Sequence, residues 1–494
     1  MEWKDLLTQE RLNKNEIQEK EKSYLKDYMI SQFEKDYQIV INSAAFRRLQ
    51  DKTQVFPLDT SDFIRTRLTH SLETSFIAKK LGNMVLYNMS VKRGEASFQK
   101  KEYDRNEEFL LKIPEILSCA GLLHDMGNPP FGHFGEVIIG EWFRENLPNI
   151  ILNGKRIVDK ENLDNSYLND AQYADLSYFE GNAQLIRVVT KLYKNTHKRG
   201  MNLTKAVLGS LIKYPDNSLN IEKKYKKFGY FQADQEIFNA IVESTGQKNG
   251  DIVMRHPLVY LLEAADDIAY LTADVEDAIK KGVISFEVLK EFYACEVNNY
   301  LLQNNVEENQ KKYVKSLADI ILNSTESDDK DVVIKKWMNS TRDSLMNCAA
   351  YYFVKNYEKI MSGQFDGDLF QNTFHEKTID ILKKLAVKFI FCDEKIMKLE
   401  ISGSMIINSL LNKFVNAIIR YDMKDETMSK ENQKLINLLP HYYIDIYYQE
   451  IKELGDDVTE GDKLYLRLLL VTDYISGMTD SYAKRLYFEL NGLE

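Results

Sequence analysis

The sequence predicts a mainly α-helical protein, and three features of its pattern support that prediction. Apolar residues recur at spacings of three and four along most of the chain, which is the period of an amphipathic helix. Between Leu258 and Leu439 there is no proline, the residue that most strongly interrupts a helix. Strand-like alternation is weak and short, so only minor β-hairpins are expected.

In the first part of the chain, predicted helices alternate with polar connections. Residues 10–50 carry apolar positions at helical spacing, and a second helix is predicted from residue 62 to about Leu86. The polar residues 88–108 are predicted to form a loop. Helix resumes at about Pro114, because proline is favoured in a first helical turn, and it runs into His124.

Turn-forming residues separate the later predicted helices. A helix continues from Glu136 to about residue 145, and the Asn- and Asp-rich residues 148–178 are predicted as a loop or hairpin. Phe179 opens another helix, and Leu258 to about Lys281 is predicted to be helical throughout. The apolar spacing beyond it predicts a C-terminal helical bundle whose charged stretches are solvated faces.

Composition excludes several classes of protein. With 494 residues and 44% hydrophobic content, the chain can bury a large core. A net charge of −10 argues against a general nucleic-acid coat and against an anionic membrane as the main partner. No run approaches the roughly 18 apolar residues of a membrane span, and the start of the chain has no signal-peptide pattern. Four scattered cysteines resemble reduced core residues, so a cytoplasmic protein is predicted.

The stretch from Ala120 to Glu136 concentrates groups that bind metals or move protons. His124 and Asp125 end an apolar helix; such a dipeptide is common, and a histidine there is usually a core residue. Imidazole and carboxylate ligands nevertheless suit a divalent transition metal. Two ligands hold a catalytic ion poorly, so a metal site would need more of them elsewhere in the chain.

Two other segments offer such ligands. His70 follows Arg67 by three residues, so one helix face would present a ligand beside a cation; the alternative is a surface arginine and a core or capping histidine. Asp266, Tyr270 and Asp274 are spaced by four and share a helix face. Apolar neighbours predict that these carboxylates are partly buried and need a metal, a hydrogen bond or a salt bridge.

A further set of residues suggests proton transfer and anion binding. His133 and Glu136 are three apart, which fits either a proton-transfer dyad or a pair that orients a metal ligand. Lys213, Tyr214 and Lys227 place positive charge and a phenol in turns, although taken singly they read as surface groups. The chain has no glycine-rich phosphate loop, so a bound nucleotide would be held by metal and side chains.

Together the motifs resemble a known family. His70, His124-Asp125 and Asp266 match the ligand set of the HD-domain metal-dependent phosphohydrolases. The longer strings resemble bacterial deoxyguanosinetriphosphate triphosphohydrolases (dGTPases), from about residue 43 to residue 484. These strings are Arg65-Thr-Arg-Leu-Thr-His-Ser-Leu-Glu73, His124-Asp-Met-Gly-Asn-Pro-Pro-Phe-Gly-His-Phe-Gly-Glu136, Phe179-Glu-Gly-Asn-Ala-Gln184, Lys213-Tyr-Pro215, Glu263-Ala-Ala-Asp-Asp-Ile-Ala-Tyr270 and Asp473-Tyr-Ile-Ser-Gly-Met-Thr-Asp480.

The resemblance implies a role for each matching position. The metal ligands would be His70, His124, Asp125 and Asp266. The catalytic pair beside the α-phosphate would be His133 and Glu136. The triphosphate would be contacted by Arg67, Lys213 and Lys227, and the deoxyribose by Gln54, Tyr270 and Asp274. Asn128, Asn182 and Tyr214 lie in matching motifs and are further substrate-binding candidates. At position 128 this chain has asparagine, as bacterial dGTPases do, whereas the animal SAM-and-HD-domain relatives have histidine.

The resemblance also implies an activity and an architecture. The expected reaction is hydrolysis of dGTP to deoxyguanosine and inorganic triphosphate, by attack of metal-activated water on the α-phosphorus. One divalent ion per site is expected, Mn or Mg first, with Fe, Co, Ni or Zn as alternatives. N-terminal helices and the HD core would occupy residues 1–285. A C-terminal helical region, 286–494, would pack on that core within one globular unit.

Several alternatives stay open at this point. Within enzymes, the chain could be a broad-specificity dNTP triphosphohydrolase, one activated by nucleotides, or an HD hydrolase of monophosphates or cyclic nucleotides. Outside enzymes, it could be a nucleotide- or single-stranded-DNA-binding protein. By analogy a homo-oligomer is expected, hexamer first and tetramer second. Binding of single-stranded DNA is a further candidate property implied by the resemblance, and no membrane partner is expected.

Overall fold

A computed structural model describes residues 1–13, 30–58, 61, 63–91, 97–161, 165–193, 200–221, 225–303, 306–423 and 428–493. Residues 14–29 of the first predicted helical segment lie outside these ranges. The described residues are mainly helical with two small antiparallel hairpins, which confirms the predicted fold class. Among these residues, no helix combines the length and apolar character that a membrane span requires.

The first half of the chain supplies the helices that carry the candidate site. They are α1 (Trp3–Leu6), α2 (Gln32–Ile41), α3 (Ala44–Arg48), α4 (Arg67–Ser90), α5 (Ser97–Leu110), α6 (Ile113–Leu123), α7 (Gly132–Asn146), α8 (Asp170–Ser177), α9 (Gly181–Thr190), α10 (Lys205–Leu211), α11 (Gln235–Ser244) and α12 (Pro257–Lys280).

The second half of the chain is also mainly helical in the residues that the structure describes. Its helices are α13 (Phe286–Leu301), α14 (Glu308–Leu322), α15 (Lys330–Lys355), α16 (Tyr357–Met361), α17 (Glu376–Leu385), α18 (Glu394–Ile418), α19 (Lys430–Asn437), α20 (His441–Leu454), α21 (Glu460–Ser476) and α22 (Asp480–Asn491). A π-helical stretch, Ala386–Ile390, follows α17.

The two hairpins are short. Strand β1 (Ile151–Leu152) pairs with β2 (Lys155–Arg156), and β3 (Lys248–Asn249) pairs with β4 (Ile252–Val253). In the first hairpin, Asn153 and Gly154 occupy the two turn positions with positive φ, which Asn-Gly pairs adopt readily. The expected hairpin within residues 148–178 is therefore present, but the prediction was wrong for residues 170–177, which form α8.

The prediction of a loop over residues 88–108 was wrong, because α5 begins at Ser97. Most residues of this helix are polar, so the few that face the core do not form a recognisable apolar pattern. Tyr103, Asn106 and Leu110 lie at spacings of three and four, with Leu110 fully buried and Asn106 donating its amide to the Glu102 carbonyl oxygen. Tertiary packing of this narrow stripe, rather than helix propensity, stabilises the helix.

Local sequence explains how the site helices begin. At α4, the Thr66 N–H donates to Thr69 Oγ1 at 3.0 Å. At α6, Pro114 lies in the first turn, as predicted, and every residue of the helix except Glu115 is buried. At α12, His256 caps the start: its Nδ1 accepts from the Leu258 N–H at 3.2 Å.

Two clusters of buried apolar side chains form the core. The first includes residues from α4, α6, α12 and α15, and the second includes residues from α7, α18 and α21. Helices that bear candidate metal ligands belong to the first cluster, whereas α7, which bears His133 and Glu136, belongs to the second. The site therefore lies where the two clusters meet. Each cluster contains residues from both sides of position 285. The division of the chain into regions 1–285 and 286–494 therefore stays a prediction.

A buried network of charges joins α9 to the C-terminal helices. Arg187 lies 2.8 Å from Asp473 and 2.9 Å from Glu450, and Lys191 lies 2.6 Å from Glu450. Burial alone would raise the pKa of Glu450, but Arg187 and Lys191 outweigh burial and lower it. Every charge in this network has an opposite partner, as burial requires.

Replacing Arg187 with methionine is expected to lower the free energy of unfolding by about 3–5 kcal/mol, because the buried carboxylates would lose their shared cation. Urea and thermal unfolding measure this loss. The control is Lys398→Met, since Lys398 pairs with Glu394 on the exposed surface of α18. Equal stability of the two variants would contradict a structural role for Arg187.

Candidate active site

Three helices bring the predicted metal ligands together. His70 lies in the first turn of α4, His124 and Asp125 follow the end of α6, and Asp266 lies on α12. His70 Nε2 is 3.2 Å from His124 Nε2 and 3.0 Å from Asp266 Oδ1. His124 Nε2 lies 3.4 Å from Asp266 Oδ1 and 3.6 Å from Asp125 Oδ1. Side chains far apart in sequence thus converge on one point.

Neighbouring groups orient these side chains. His124 Nδ1 lies 2.8 Å from the Gly121 carbonyl oxygen; donating its proton there leaves Nε2 as the free ring nitrogen. Asp125 accepts from Arg67 Nη1 at 2.7 Å and from Asn128 Nδ2 at 2.6 Å. Although burial disfavours the carboxylate, the charge of Arg67 holds the pKa of Asp125 well below its usual value. Asp125 is therefore held ionised.

The chemistry of these donors fits a divalent ion. The candidate ligand atoms of His70, His124 and Asp125 all lie within 4.8 Å of one another, so these three residues could hold one. Two imidazole nitrogens facing each other at 3.2 Å, with carboxylate oxygens beside them, need a shared proton or a cation between them. Nitrogen and oxygen ligands of this kind suit a transition metal or Mg²⁺.

His133 and Glu136 form the predicted pair at the start of α7. His133 Nδ1 lies 2.8 Å from Glu136 Oε2, and Glu136 Oε1 accepts from the Gly181 N–H at 3.0 Å. A side chain at position 181 would displace this carboxylate, because its Cβ would lie 2.3 Å from Glu136 Oε1. Glu136 is buried, whereas the His133 side chain is 73% exposed and accessible to a ligand.

Arg67 lies between the metal candidates and this pair. On one side it donates a hydrogen bond to Asp125. On the other side it lies against Gly132, the first residue of α7, where an added Cβ would be only 2.6 Å from Arg67 Nη2. Burial favours the neutral acid of Glu136, but the His133 hydrogen bond and the charges of Lys227 and Arg67 bring its pKa below the usual value. One buried cation therefore acts on both groups.

Two lysines add positive charge to the site. Lys213 Nζ lies 3.4 Å from Asp266 Oδ2, and Lys227 Nζ lies 3.3 Å from the Glu180 carboxylate and 3.9 Å from Glu136 Oε2. Burial opposes the charge of Lys213, yet Asp266 and Glu263 raise its pKa above the usual range. Both lysines are therefore cations, although the sequence alone reads them as surface groups.

Of the three residues predicted to contact a sugar, Tyr270 and Asp274 lie on α12 and Gln54 lies in the segment before α4. Asp274 is buried on α12, where burial and the neighbouring Asp277 raise its pKa well above its usual value. Burial and the charge of Asp267 likewise raise the pKa of Tyr270, which packs against the first core cluster. Gln54 Oε1 is buried without a hydrogen-bond partner among the described residues. An unpaired buried acceptor is costly, so a ligand donor there would be favourable.

Tyr214 and Asn182 have contacts at the edge of the site. Tyr214 packs edge-on against Tyr225, with ring centroids 5.6 Å apart. Burial raises the pKa of Tyr214 and the nearby lysines oppose that rise. Asn182 donates its backbone N–H to Glu180, the residue that also binds Lys227. These two residues shape the surroundings of the lysines and of Glu136.

Sequence reasoning missed two residues that support the site. Lys52 is buried in an irregular segment, where it donates to the carbonyl oxygens of Asn128 and Ser476; no periodic pattern marks such a position. Glu180 holds Lys227 in place. Its position beside Gly181, in the Phe179–Gln184 motif, was the available signal.

Comparison with known proteins is consistent with this geometry. The HD domain profile matches residues 67–206, which contain His70, His124, Asp125 and His133. The phosphohydrolase-associated domain profile matches residues 411–489. The four predicted metal ligands, His70, His124, Asp125 and Asp266, are called the His–Asp group from here on. The helical fold and the His–Asp group thus define a hydrolase of the HD phosphohydrolase class.

Curated relatives narrow the assignment. A deoxyguanosinetriphosphate triphosphohydrolase-like protein of Listeria innocua is 43% identical over 499 residues and covers 100% of both chains. The deoxyguanosinetriphosphate triphosphohydrolase of Salmonella typhimurium is 32% identical over 505 residues, or 94% of each chain. A Synechocystis protein with the same "-like" name is 30% identical over 506 residues. The chain belongs to the deoxyguanosinetriphosphate triphosphohydrolase family, which confirms the resemblance seen in the sequence.

Proposed function

We propose that the protein hydrolyses deoxynucleoside triphosphates, dGTP first, to the deoxynucleoside and inorganic triphosphate. One observation carries the proposal: the His–Asp group and the His133–Glu136 pair are joined by a single short turn, with Arg67 between them. A phosphoryl group that bridges the two would meet a metal site on one side and a proton-transfer group on the other.

His70, His124, Asp125 and Asp266 would hold one divalent ion, Mn or Mg first. Such an ion supplies Lewis acidity, which lowers the pKa of water and withdraws charge from a phosphoryl oxygen. The protein prepares for it by keeping Asp125 ionised beside Arg67 and by fixing the ring of His124 through Gly121. These second contacts set ligand direction before any ion binds.

His133 would manage the proton. Attack of water on the α-phosphorus forms one P–O bond and breaks the bond to the 5′ oxygen, which then needs a proton. With its Nδ1–H donated to Glu136, His133 presents Nε2 as the atom that delivers it. The buried Glu136 carboxylate stabilises the protonated ring during the step.

Arg67, Lys213 and Lys227 would bind the triphosphate. All three are cations near the His–Asp group or the His133–Glu136 pair. The chain as a whole is acidic, so these charges form a local basic site rather than part of a basic surface. Fixed cations here would attract the tetra-anionic substrate and stabilise charge that develops on its phosphates.

A product assay tests the function directly. The purified protein is given Mn²⁺ or Mg²⁺ with each of the four dNTPs, separately and mixed, and the products are resolved by chromatography. Release of triphosphate from dGTP alone supports the proposal. Activity only in mixtures would favour a nucleotide-activated enzyme of broad specificity, and release of orthophosphate or pyrophosphate would contradict the reaction. Assembly as a hexamer or tetramer and binding of single-stranded DNA stay predictions.

Replacing Tyr270 with alanine is expected to reduce the preference for dGTP over GTP by about tenfold to a hundredfold in kcat/KM, because the family resemblance implies that the ring stacks under the sugar and leaves no room for a 2′-hydroxyl. The measurement is kcat/KM for both nucleotides. Tyr87→Ala, at an exposed position on α4, is the control. If Tyr270→Ala keeps the same preference for dGTP over GTP, Tyr270 does not select the sugar.

A further inference from the structure

We propose that Asp480 and Lys52 are positioning residues that fix the turn Gly127–Gly132 and thereby set the place of His133 relative to the His–Asp group. The effect on turnover rests on the proposed function, whereas the effect on the turn does not. Asp480 lies in the phosphohydrolase-associated region, and Lys52 lies before α4, so neither belongs to the helices that carry the reactive groups.

The turn contains a strained residue that needs support. Phe131, immediately before α7, has φ of 63°, a left-handed conformation that is uncommon for a bulky side chain. Such a conformation persists only when its surroundings hold it. The Phe131 N–H donates to Asp480 Oδ1 at 3.0 Å, which fixes the backbone at this residue.

The ring of Phe131 is fixed by the same region of the chain. It packs against α18 at Gly403, where an added Cβ would lie 2.8 Å from the ring. Backbone and side chain of one strained residue are thus both held by residues beyond 400. His133 follows two positions later, so any change at Phe131 moves the start of α7.

Lys52 holds the other end of the turn. Its Nζ donates to the Asn128 carbonyl oxygen at 2.6 Å and to the Ser476 carbonyl oxygen at 2.7 Å. The Lys52 carbonyl oxygen accepts from the Arg67 N–H at 3.1 Å. One buried residue therefore connects the start of α4, the turn and the end of α21.

Thr53 ties the two positioning residues together. Its N–H donates to Asp480 Oδ2 at 3.0 Å, and its hydroxyl group donates to the same oxygen. Asp480 therefore accepts from the turn with one oxygen and from the Lys52-Thr53 segment with the other. An asparagine at position 480 cannot accept on both sides, because its amide nitrogen is a donor.

Amide hydrogen exchange followed by mass spectrometry tests the proposal on the full-length protein. In Asp480→Asn, exchange in peptides that cover residues 127–135 is expected to accelerate at least about tenfold, because one acceptor oxygen remains for the donors of both Phe131 and Thr53, and the link between them is broken. In the dGTP assay, kcat should fall about tenfold to a hundredfold, with KM and Mn²⁺ affinity unchanged. A uniform loss of folded protein would also lower the apparent kcat at unchanged KM, but it would accelerate exchange in peptides throughout the protein, so acceleration confined to residues 127–135 identifies the positioning role.

The matched control is Asp473→Asn. Asp473 is equally buried and lies in the same C-terminal segment, but its carboxylate accepts from Arg187 and Gln184 instead of the turn. This variant should lower the unfolding temperature without changing exchange at the turn. If Asp480→Asn does not fold, Lys52→Met and Thr53→Val replace it, since each removes other donors of the same network.

The possible results separate the two proposals. Unchanged exchange at the turn in Asp480→Asn overturns the positioning role, whatever the activity. Equal acceleration in Asp473→Asn also overturns it, because the effect would then be general destabilisation. If the wild-type protein hydrolyses no dNTP, the proposed function fails, but the exchange data still decide whether Asp480 holds the turn.

Discussion

Replacing His133 with alanine is expected to lower kcat for dGTP hydrolysis by about two to four orders of magnitude, the usual worth of a positioned general acid or base. The reason lies in the geometry: His133 Nδ1 is held by Glu136 at 2.8 Å, and the other ring nitrogen lies on an exposed side chain. Steady-state kinetics at saturating metal measures the change.

The same variant should still bind Mn²⁺ and nucleotide, because its ring is not one of the grouped donor atoms. Calorimetric titration with Mn²⁺ and with a non-hydrolysable dGTP analogue checks both. His441→Ala, at the exposed start of α20, is the matched control and should keep full activity. If His133→Ala turns over dGTP at the normal rate, another residue handles the proton.

Periodicity in the sequence predicted the helices with continuous apolar faces. The almost wholly buried α6 and the long α12 lie close to their predicted limits. The same method failed for α5, since a helix that buries only a narrow stripe has the composition of a loop. The amphipathic pattern of a helix reflects how much apolar surface it buries. Short or polar helices bury so little that periodicity does not predict them.

Spacing along one helix predicted a shared face, but not what meets that face. Asp266, Tyr270 and Asp274 lie on one side of α12, as expected from their spacing. That this side approaches His70 depends on packing between helices almost 200 residues apart. Only the family resemblance pointed to that pairing, because single-sequence patterns carry no information on long-range contacts.

The connection between the reactive groups was the least predictable feature. Lys52 and Asp480 hold the turn through backbone carbonyl oxygens and N–H groups, so the identity of the partner residues hardly matters. Contacts of this kind leave no residue pattern at either end. The sequence showed that a short turn links His124 to His133, whereas the structure shows which side chains hold it in place.

Replacing His70 with alanine is expected to abolish stoichiometric binding of the divalent ion and to lower kcat/KM about a thousandfold or more, since Lewis acidity contributes several kcal/mol to such reactions. His70 is buried at the centre of the group, 3.0 Å from Asp266 and 3.2 Å from His124. Without His70, the metal would keep a single imidazole ligand, so water would compete more effectively for it. The carboxylates of Asp125 and Asp266 would then have no bound cation between them.

Metal content by mass spectrometry and Mn²⁺ titration by electron paramagnetic resonance measure binding independently of activity. His375→Ala is the matched control, because His375 is just as buried but contacts Ser344 and Thr378, away from the His–Asp group. That variant should lose stability while keeping its metal. A His70→Ala protein that retains one tightly bound ion and wild-type kcat/KM would show that the ion lies elsewhere.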